Sequence, residues 1–173
     1  MSNFSATNNK VYTATFTPSS DGDCTINVTA NKFTDTAGNG NSAATEFNWK
    51  YDSTVPSSFT VSTVVATGGT VVSDYWNSTN TGINITVPVA NDTTLTGGTI
   101  QLRAKVDSEA YADLDSAYTI VSNDINTNKT ISVTGTVFEA LSGGLADAEV
   151  VTVTAIIKDK AGNSTTGTAS SNT

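Results

Sequence analysis

Carboxylates are the side chains of this sequence that could take part in catalysis or bind a metal ion. Its 173 residues include no histidine, one cysteine and sixteen aspartates and glutamates. Without an imidazole there is no Ser-His-Asp triad or histidine-bound metal, and a single thiol excludes a cysteine zinc cluster. What remains is hydrolysis by paired carboxylates or the binding of Ca²⁺, which takes about six to eight oxygen ligands. No motif marks a catalytic pair, so we do not predict an enzyme.

Three aspartates are the candidate calcium ligands, because they lie in turns at the expected ends of β-structure. They are Asp35, Asp52 and Asp159. The other interpretation is that the turn residues only cap their own backbone. The residues of the two turns are Asp35, Gly38, Asn39, Asp159, Gly162 and Asn163.

Charge and hydropathy exclude two further classes of partner. The net charge is −8 and no cluster of Lys and Arg occurs, whereas binding to nucleic acid needs such clusters to neutralise phosphates. No apolar run approaches the ~20 residues of a membrane span. The lone Cys24 alternates with polar neighbours, which predicts a small buried residue on the inner face of a strand.

Alternation of apolar and polar residues predicts the elements that position these side chains. Dense Gly, Asn and Asp turn signals separate the runs, and only the segments 107–115 and 138–141 suggest a helical turn. Short strands at this spacing indicate an all-β protein of the β-sandwich class. The predicted strands are 11–16, 24–30, 46–51, 59–65, 70–72, 83–87 interrupted at Pro88, 99–106, 118–121, 130–137, 150–157 and 165–170.

An internal repeat defines the domain organisation. The sequence Val-Thr-Ala at 28–30, followed by Asp-Thr-Ala-Gly-Asn at 35–39, recurs at 153–155 and as Asp-Lys-Ala-Gly-Asn at 159–163. The spacing from Ala to Asp is one residue longer in the first copy, which predicts an extra loop or bulge residue there. Each copy is interpreted as a strand that enters a tight turn before the last strand of a module.

The positions of the two copies predict one and a half modules, because each copy lies near the end of its module. We predict that residues 1–52 are the closing half of a module, that 53–56 are a linker containing Pro56, and that 57–173 are a second, nearly complete module. The first module is then truncated. Its strands should expose an unpaired edge or an apolar face unless other strands complete it.

These motifs resemble the bacterial immunoglobulin-like repeats of large surface proteins, such as biofilm-associated and RTX-type adhesins. The resemblance is carried by the run 12–18, by Asp21-Gly22-Asp23, by both Asp-x-Ala-Gly-Asn turns and by the linker 51–56. It implies tandem immunoglobulin-like β-sandwich modules in an extracellular or bacterial cell-surface protein. It also implies a non-catalytic spacer or adhesion segment, in which Ca²⁺ at module junctions stiffens the array.

The expected partners follow from the same resemblance and from the truncation. They are neighbouring immunoglobulin-like modules of the same polypeptide, or a second copy that exchanges strands with residues 1–52 in a homo-oligomer. The alternative function is a carbohydrate-binding module, since Tyr75-Trp76 and Trp49-Tyr51 offer flat faces for sugars. Against it, Trp49 and Tyr51 share one face of a strand with Phe47, a pattern typical of core lining.

Overall fold

A computed structural model describes residues 2–8 and 11–170 of the protein. The chain forms two compact units, Met1–Thr54 and Val55–Thr173. Both units are built from antiparallel strand pairs, so the predicted all-β class is confirmed. In the part of the chain that is described, no helix has the length and apolar character needed to span a membrane.

The first unit contains two separate two-stranded sheets. Strand β1 (Ser2–Asn8), which the sequence did not predict, pairs with β2 (Val11–Thr15). Strand β3 (Gly22–Ile26) pairs with β4 (Phe47–Tyr51). Within the described residues no ladder joins the two sheets.

One face of the β3–β4 sheet is apolar and partly exposed. The register sets Cys24 opposite Trp49 and Ile26 opposite Phe47, and residues that are directly opposite share a face. The ring of Phe16 meets Trp49 edge-on at 5.4 Å. Cys24 is buried, as predicted, but Phe47 is 64% exposed, so the core-lining interpretation of Phe47 is wrong within this unit.

The second unit consists of two sheets. The first has the strand order β10-β6-β5, from β5 (Thr63–Thr67), β6 (Gly82–Val89) and β10 (Thr127–Thr134). The second has the order β12-β11-β7-β8, with β9 also paired to β7. Its strands are β7 (Thr99–Val106), β8 (Ala112–Asp113), β9 (Tyr118–Thr119), β11 (Val151–Lys158) and β12 (Ser164–Thr166).

A continuous core fills the space between these sheets. Alternate residues of β6 and β7 point inward because the side-chain period of a strand is two, and β11 adds Val153, Ala155 and Ile157. The predicted β-sandwich is therefore present in this unit. The inward residues of β6 and β7 are Ile83, Ile85, Val87, Val89, Ile100, Leu102, Ala104 and Val106.

Segment 59–67 connects the two layers. Thr60 forms a parallel bridge with Thr168 beside the second sheet, and β5 then pairs with β6 of the first sheet. A strand that changes sheets in this way ties the layers of a sandwich together. The prediction of one strand over 59–65 therefore missed the crossover.

Three other local predictions were wrong. Pro88 does not interrupt β6. Strand β5 pairs only with Gly82–Thr86, so the edge of β6 beside Pro88 has no partner there that would need a backbone N–H. Segment 107–115 forms a turn and β8 rather than a helical turn. The strand predicted at 130–137 ends at Thr134, because the helix α1 (Gly135–Glu139) begins there. Three single turns of 3₁₀ helix lie at Thr93–Leu95, Ser122–Asp124 and Leu141–Gly143.

The core of the second unit predicts that two substitutions in the same sheet lower the free energy of unfolding by different amounts. Ile85→Ala removes a fully buried side chain and should lower the free energy of unfolding by about 2–4 kcal/mol. Val65→Ala, at a half-exposed position of β5, is the control and should cost far less. Urea denaturation followed by circular dichroism measures both; equal losses would contradict the assigned core.

Candidate functional site: the repeated turns and the linker

The first Asp-x-Ala-Gly-Asn turn is closed by its own aspartate. The Oδ1 atom of Asp35 accepts hydrogen bonds from the amides of Ala37 and Asn39, both at 2.9 Å. Its Oδ2 atom accepts from the side-chain amide of Asn39 at 3.0 Å. Asp35 N donates to Asn39 O, which closes the backbone loop. These side-chain and backbone bonds hold the carboxylate inside the turn.

The second turn repeats this geometry. Asp159 Oδ1 accepts from the amides of Gly162 and Asn163 at 2.7 and 2.9 Å, and Oδ2 accepts from the Asn163 side chain at 2.9 Å. Asp159 N donates to Asn163 O. Gly38 and Gly162 have φ of 86° and 104°, a conformation that side chains with a Cβ rarely adopt. The need for glycine and for both amide partners explains why this five-residue pattern recurs.

The residues that flank the two turns pair in the same register. Thr34 bridges Gly40 around the first turn, and Lys158 pairs with Ser164 around the second. The motif valine of each copy also accepts a bond from the returning chain, from Ala44 N to Val28 O and from Ser170 N to Val153 O. Asn31, in the stretch that is one residue longer in the first copy, has a φ of 58°.

The two turns differ in their surroundings. Asp159 is only 3% exposed, whereas Asp35 lies on the surface. Hydrogen bonds from Asn39, and then from backbone amides of the turn, hold the pKa of the Asp35 carboxyl below its usual value. The same turn is thus part of a packed module in one unit and solvent-exposed in the other.

Asp52, the third calcium candidate, lies in a segment fixed by hydrogen bonds. Its Oδ1 accepts from the amide of Thr54 at 3.1 Å. Asp21, which the sequence did not single out as a site, accepts from the amide and hydroxyl of Ser53 at 2.9 and 2.7 Å and from the hydroxyl of Thr54. The hydroxyl of Thr54, followed by that of Ser53, holds the pKa of Asp21 below its usual value.

Residues at each end of the segment predicted as a linker form hydrogen bonds within their own unit. Ser53 and Thr54 are bound to Asp21 of the first unit, and the carbonyl of Pro56 accepts a hydrogen bond from the Thr165 hydroxyl of the second unit. Between these anchors lies Val55, whose conformation is restricted because a proline follows it.

No three acidic or thiol side chains in the described ranges come together as a metal-binding group. Asp35 and Asp52 belong to the first unit and Asp159 to the second. Each of the three carboxylates accepts at least one hydrogen bond from a nearby backbone amide. Calcium binding at these residues stays a prediction.

The aromatic candidates divide into packed and exposed rings. Trp76 packs on Phe138 at 4.9 Å between ring centroids, and its Nε1 donates to Glu139. Tyr75 is largely exposed. Trp49 contacts Phe16 and Phe47, so one of its edges is already occupied. These rings do not form one flat platform within either unit.

A polar cluster around the buried Asp124, which the sequence did not reveal, links the two sheets of the second unit. Asp124 accepts hydrogen bonds from the Tyr118 hydroxyl at 2.8 Å, the Val121 amide at 2.9 Å and Lys129 Nζ at 3.1 Å. The Lys129 ammonium also lies 4.2 Å from the centre of the Tyr118 ring. Tyr118 is in β9 of one sheet and Lys129 in β10 of the other, so the cluster joins the two layers.

The cluster shifts two pKa values in opposite directions. Burial alone would raise the pKa of Asp124, but the bonds from Val121, Tyr118 and Lys129 outweigh it and the pKa is lowered. Hydrogen bonds to Tyr118 and then Asp124 raise the pKa of Lys129. Both charged forms are therefore favoured by folding.

These shifts predict how stability depends on pH. The contribution of Asp124 is fully present above its unfolded pKa of about 3.9 and is lost as pH falls through the lower folded pKa. The contribution of Lys129 is fully present below about 10.4 and is lost as pH rises through its raised pKa. Asp124→Asn should reduce the acid-induced loss of melting temperature. The exposed Asp113→Asn is the control, and equal effects of the two would contradict the assignment.

The burial of the second turn predicts a difference between equivalent substitutions. Asp159→Ala removes a buried carboxylate that accepts from the amides of Gly162 and Asn163, and it should cost about 1–3 kcal/mol of unfolding free energy. Asp35→Ala, in the solvated turn, should cost less because water can satisfy the same donors. Thermal unfolding of the two variants tests this, and a larger loss for Asp35→Ala would refute the equivalence of the turns.

Comparison with known proteins identifies the first segment. Residues 1–51 match the family described as bacterial Ig-like domain. No curated protein and no solved structure matches the chain significantly. The matched segment contains strands β1 to β4 and the first Asp-x-Ala-Gly-Asn turn. The second unit contains the second copy of this turn. The resemblance to bacterial immunoglobulin-like repeats is therefore confirmed, and residues 1–51 are similar to a bacterial Ig-like domain.

Proposed function

We propose that the protein is a structural spacer or adhesion segment of a large bacterial surface protein, without catalytic activity. The match of residues 1–51 to bacterial Ig-like domains is the observation that carries this proposal. The turn shared by both units supports a tandem array, since modules in such an array repeat their connections. An extracellular, cell-surface location goes with this role.

The mechanism is mechanical. Folded sandwiches resist compression, and their connection sets how far an array projects from its point of attachment. Hydrogen bonds from Ser53 and Thr54 to Asp21, and from Thr165 to the carbonyl of Pro56, limit the torsional freedom of this connection. In this proposal residues 1–52 are the closing half of one module, 53–56 the linker and 57–173 the next module.

The linker hydrogen bonds predict a measurable change in dimensions. Asp21→Ala removes the acceptor for Ser53 and Thr54 and should broaden the distribution of maximum dimensions in small-angle X-ray scattering. Asp23→Ala is the matched control, since Asp23 lies two residues away and forms only an exposed ion pair with Lys50. An unchanged distribution for Asp21→Ala would contradict the stiffening role.

Two further measurements test the spacer function itself. Tryptophan fluorescence should show no saturable response to polysaccharides; a saturable response would favour the carbohydrate-binding alternative. If Ca²⁺ stiffens the junction through Asp35, Asp52 or Asp159, chelation with EDTA should lower the melting temperature and change the maximum dimension. If EDTA alters neither quantity, the calcium prediction is wrong, and the hydrogen bonds at residues 53–56 are then the only stiffening in the proposal.

A further inference from the structure

The two copies of the turn differ in the residue that follows the asparagine. Asn39 is followed by Gly40, the only Asn-Gly pair in the sequence, whereas Asn163 is followed by Ser164. The backbone nitrogen that follows an asparagine can attack the carbonyl carbon of its side chain, a reaction that makes asparagine thermally labile. Glycine favours this attack, because no Cβ hinders the close approach of its backbone.

The register of the first turn shows where the amide of Gly40 points. Gly40 forms a bridge with Thr34, and backbone hydrogen bonds lie on either side of that bridge. The two residues are therefore a non-hydrogen-bonded pair, in which each N–H points away from the partner strand. The attacking nitrogen lies on the outer side of the hairpin and takes no part in its ladder.

The second unit shows the same arrangement inside a complete sandwich. Ser164, the counterpart of Gly40, pairs with Lys158, and the bond from Asp159 N to Asn163 O again lies beside that pair. Strand β12 is the end strand of its sheet, and Ser164 is exposed. The outward direction of this amide therefore belongs to the turn and does not depend on how the first module is completed.

The local structure of the first copy accounts for the glycine. A Cβ at position 40 would lie 2.1 Å from Oδ1 and 3.3 Å from Cα of Asn31. Asn31 belongs to the stretch that is one residue longer in the first copy. Any side chain at position 40 would have to displace that of Asn31, so the longer loop favours glycine after Asn39.

The side chain of Asn39 is held less firmly than that of its neighbour Asn41. Nδ2 of Asn39 donates to Asp35 at 3.0 Å, and among the described residues its Oδ1 accepts no hydrogen bond. Oδ1 of Asn41 accepts from the amides of Lys32 and Phe33 at 2.8 and 3.2 Å, and its Nδ2 donates to two backbone carbonyls. Asn41 is thus fixed from both ends, whereas Asn39 is held at one.

We propose that Asn39 is a site of spontaneous deamidation. The nitrogen of Gly40 loses its proton to solvent and bonds to Cγ of Asn39. The Cγ–Nδ2 bond breaks, and the leaving nitrogen takes up a proton and departs as ammonia. Water then opens the succinimide ring, at the backbone carbonyl to give isoaspartate or at Cγ to give aspartate. In sum, one water replaces one ammonia, and solvent is the only co-reactant.

The products would open the first turn and leave the second intact. Aspartate at position 39 puts a carboxylate where Nδ2 now donates to Asp35, so a hydrogen bond is replaced by repulsion between like charges. Isoaspartate adds one carbon to the backbone of the hairpin, which displaces the pair of Thr34 and Gly40. Deamidation is therefore an irreversible switch in one copy of the turn, and it goes beyond the spacer function.

Mass spectrometry of the aged protein tests the proposal. The full chain is incubated in mildly alkaline buffer and digested with trypsin, which places the two turns in the separate peptides 33–50 and 161–173. We expect replacement of the side-chain NH2 by OH at Asn39 to be at least about tenfold faster than at Asn41 or Asn163. Labelling by isoaspartyl methyltransferase should detect part of the product.

A paired variant tests the role of Gly40. The double variant Asn31→Gly, Gly40→Ser removes the side chain that would clash and gives the first turn the Asn-Ser sequence of the second. Its rate of deamidation at Asn39 should fall at least about tenfold. Asn31→Gly alone is the matched control, and it should keep the wild-type rate. Circular dichroism checks that both variants fold.

A third variant tests the effect on the turn. Asn39→Asp reproduces the aspartate product, and we expect about tenfold faster hydrogen exchange at the amide of Ala37, which now donates to Asp35. Ser42→Asp is the control, because it adds the same charge at an exposed position without removing the donor.

Three results would overturn the proposal. They are deamidation at Asn39 no faster than at Asn163, a wild-type rate in the double variant, and equal exchange at Ala37 in Asn39→Asp and Ser42→Asp. The first two would refute the modification site, and the third would refute its action as a switch. Each is distinct from failure of the spacer function, which the scattering and polysaccharide measurements test on fresh protein.

Discussion

Covering the apolar face of an antiparallel sheet is the constraint on which this structure depends. A two-stranded sheet cannot bury an apolar face by itself, and stability requires a second layer. The second unit meets this requirement, because β6 and β7 bring alternate aliphatic residues against those of β11. The described residues of the first unit form two separate two-stranded sheets, and no ladder joins them. Its exposed rings follow from that difference rather than from its composition.

The Asp-x-Ala-Gly-Asn turn behaves as an autonomous local element. Its aspartate satisfies amides within four residues, and its glycine supplies the positive φ, so the turn needs nothing from the rest of a module. This independence explains why the same hydrogen bonds occur at a buried position and at an exposed one. It also explains why the turn carboxylates already have partners without a metal ion.

Local patterns in the sequence predicted much of the fold. Alternation located β2, β4, β7 and β11 to within one or two residues, since a half-buried strand must alternate. The crossover at 59–67 and the path of β6 through Pro88 were missed, because they depend on which strand ends where in the sheet. The Tyr118–Asp124–Lys129 cluster was missed as well. Its members are local in sequence, but only the closed sandwich gives them a shared buried environment.

The sequence predicted the residues of the two turns, but it did not predict all the hydrogen bonds around the candidate site. The repeat identified Asp35, Asn39, Asp159 and Asn163, and in the structure each Asn side chain donates a hydrogen bond to the Asp of its own turn. Asp21 was overlooked, since a carboxylate about thirty residues from the linker gives no sequence signal of a long-range bond to Ser53.

Hydrogen exchange at equivalent amides tests the central claim most directly, namely that β11 lies between two strands in its unit, whereas among the described residues β3 is paired on one side only. The amides to compare are Asn27 with Thr152 and Thr29 with Thr154, resolved by nuclear magnetic resonance. The account predicts that Thr152 and Thr154 exchange only through global unfolding of their unit, whereas Asn27 and Thr29 exchange within about tenfold of an unstructured chain. Equal, strong protection at both sets would contradict it.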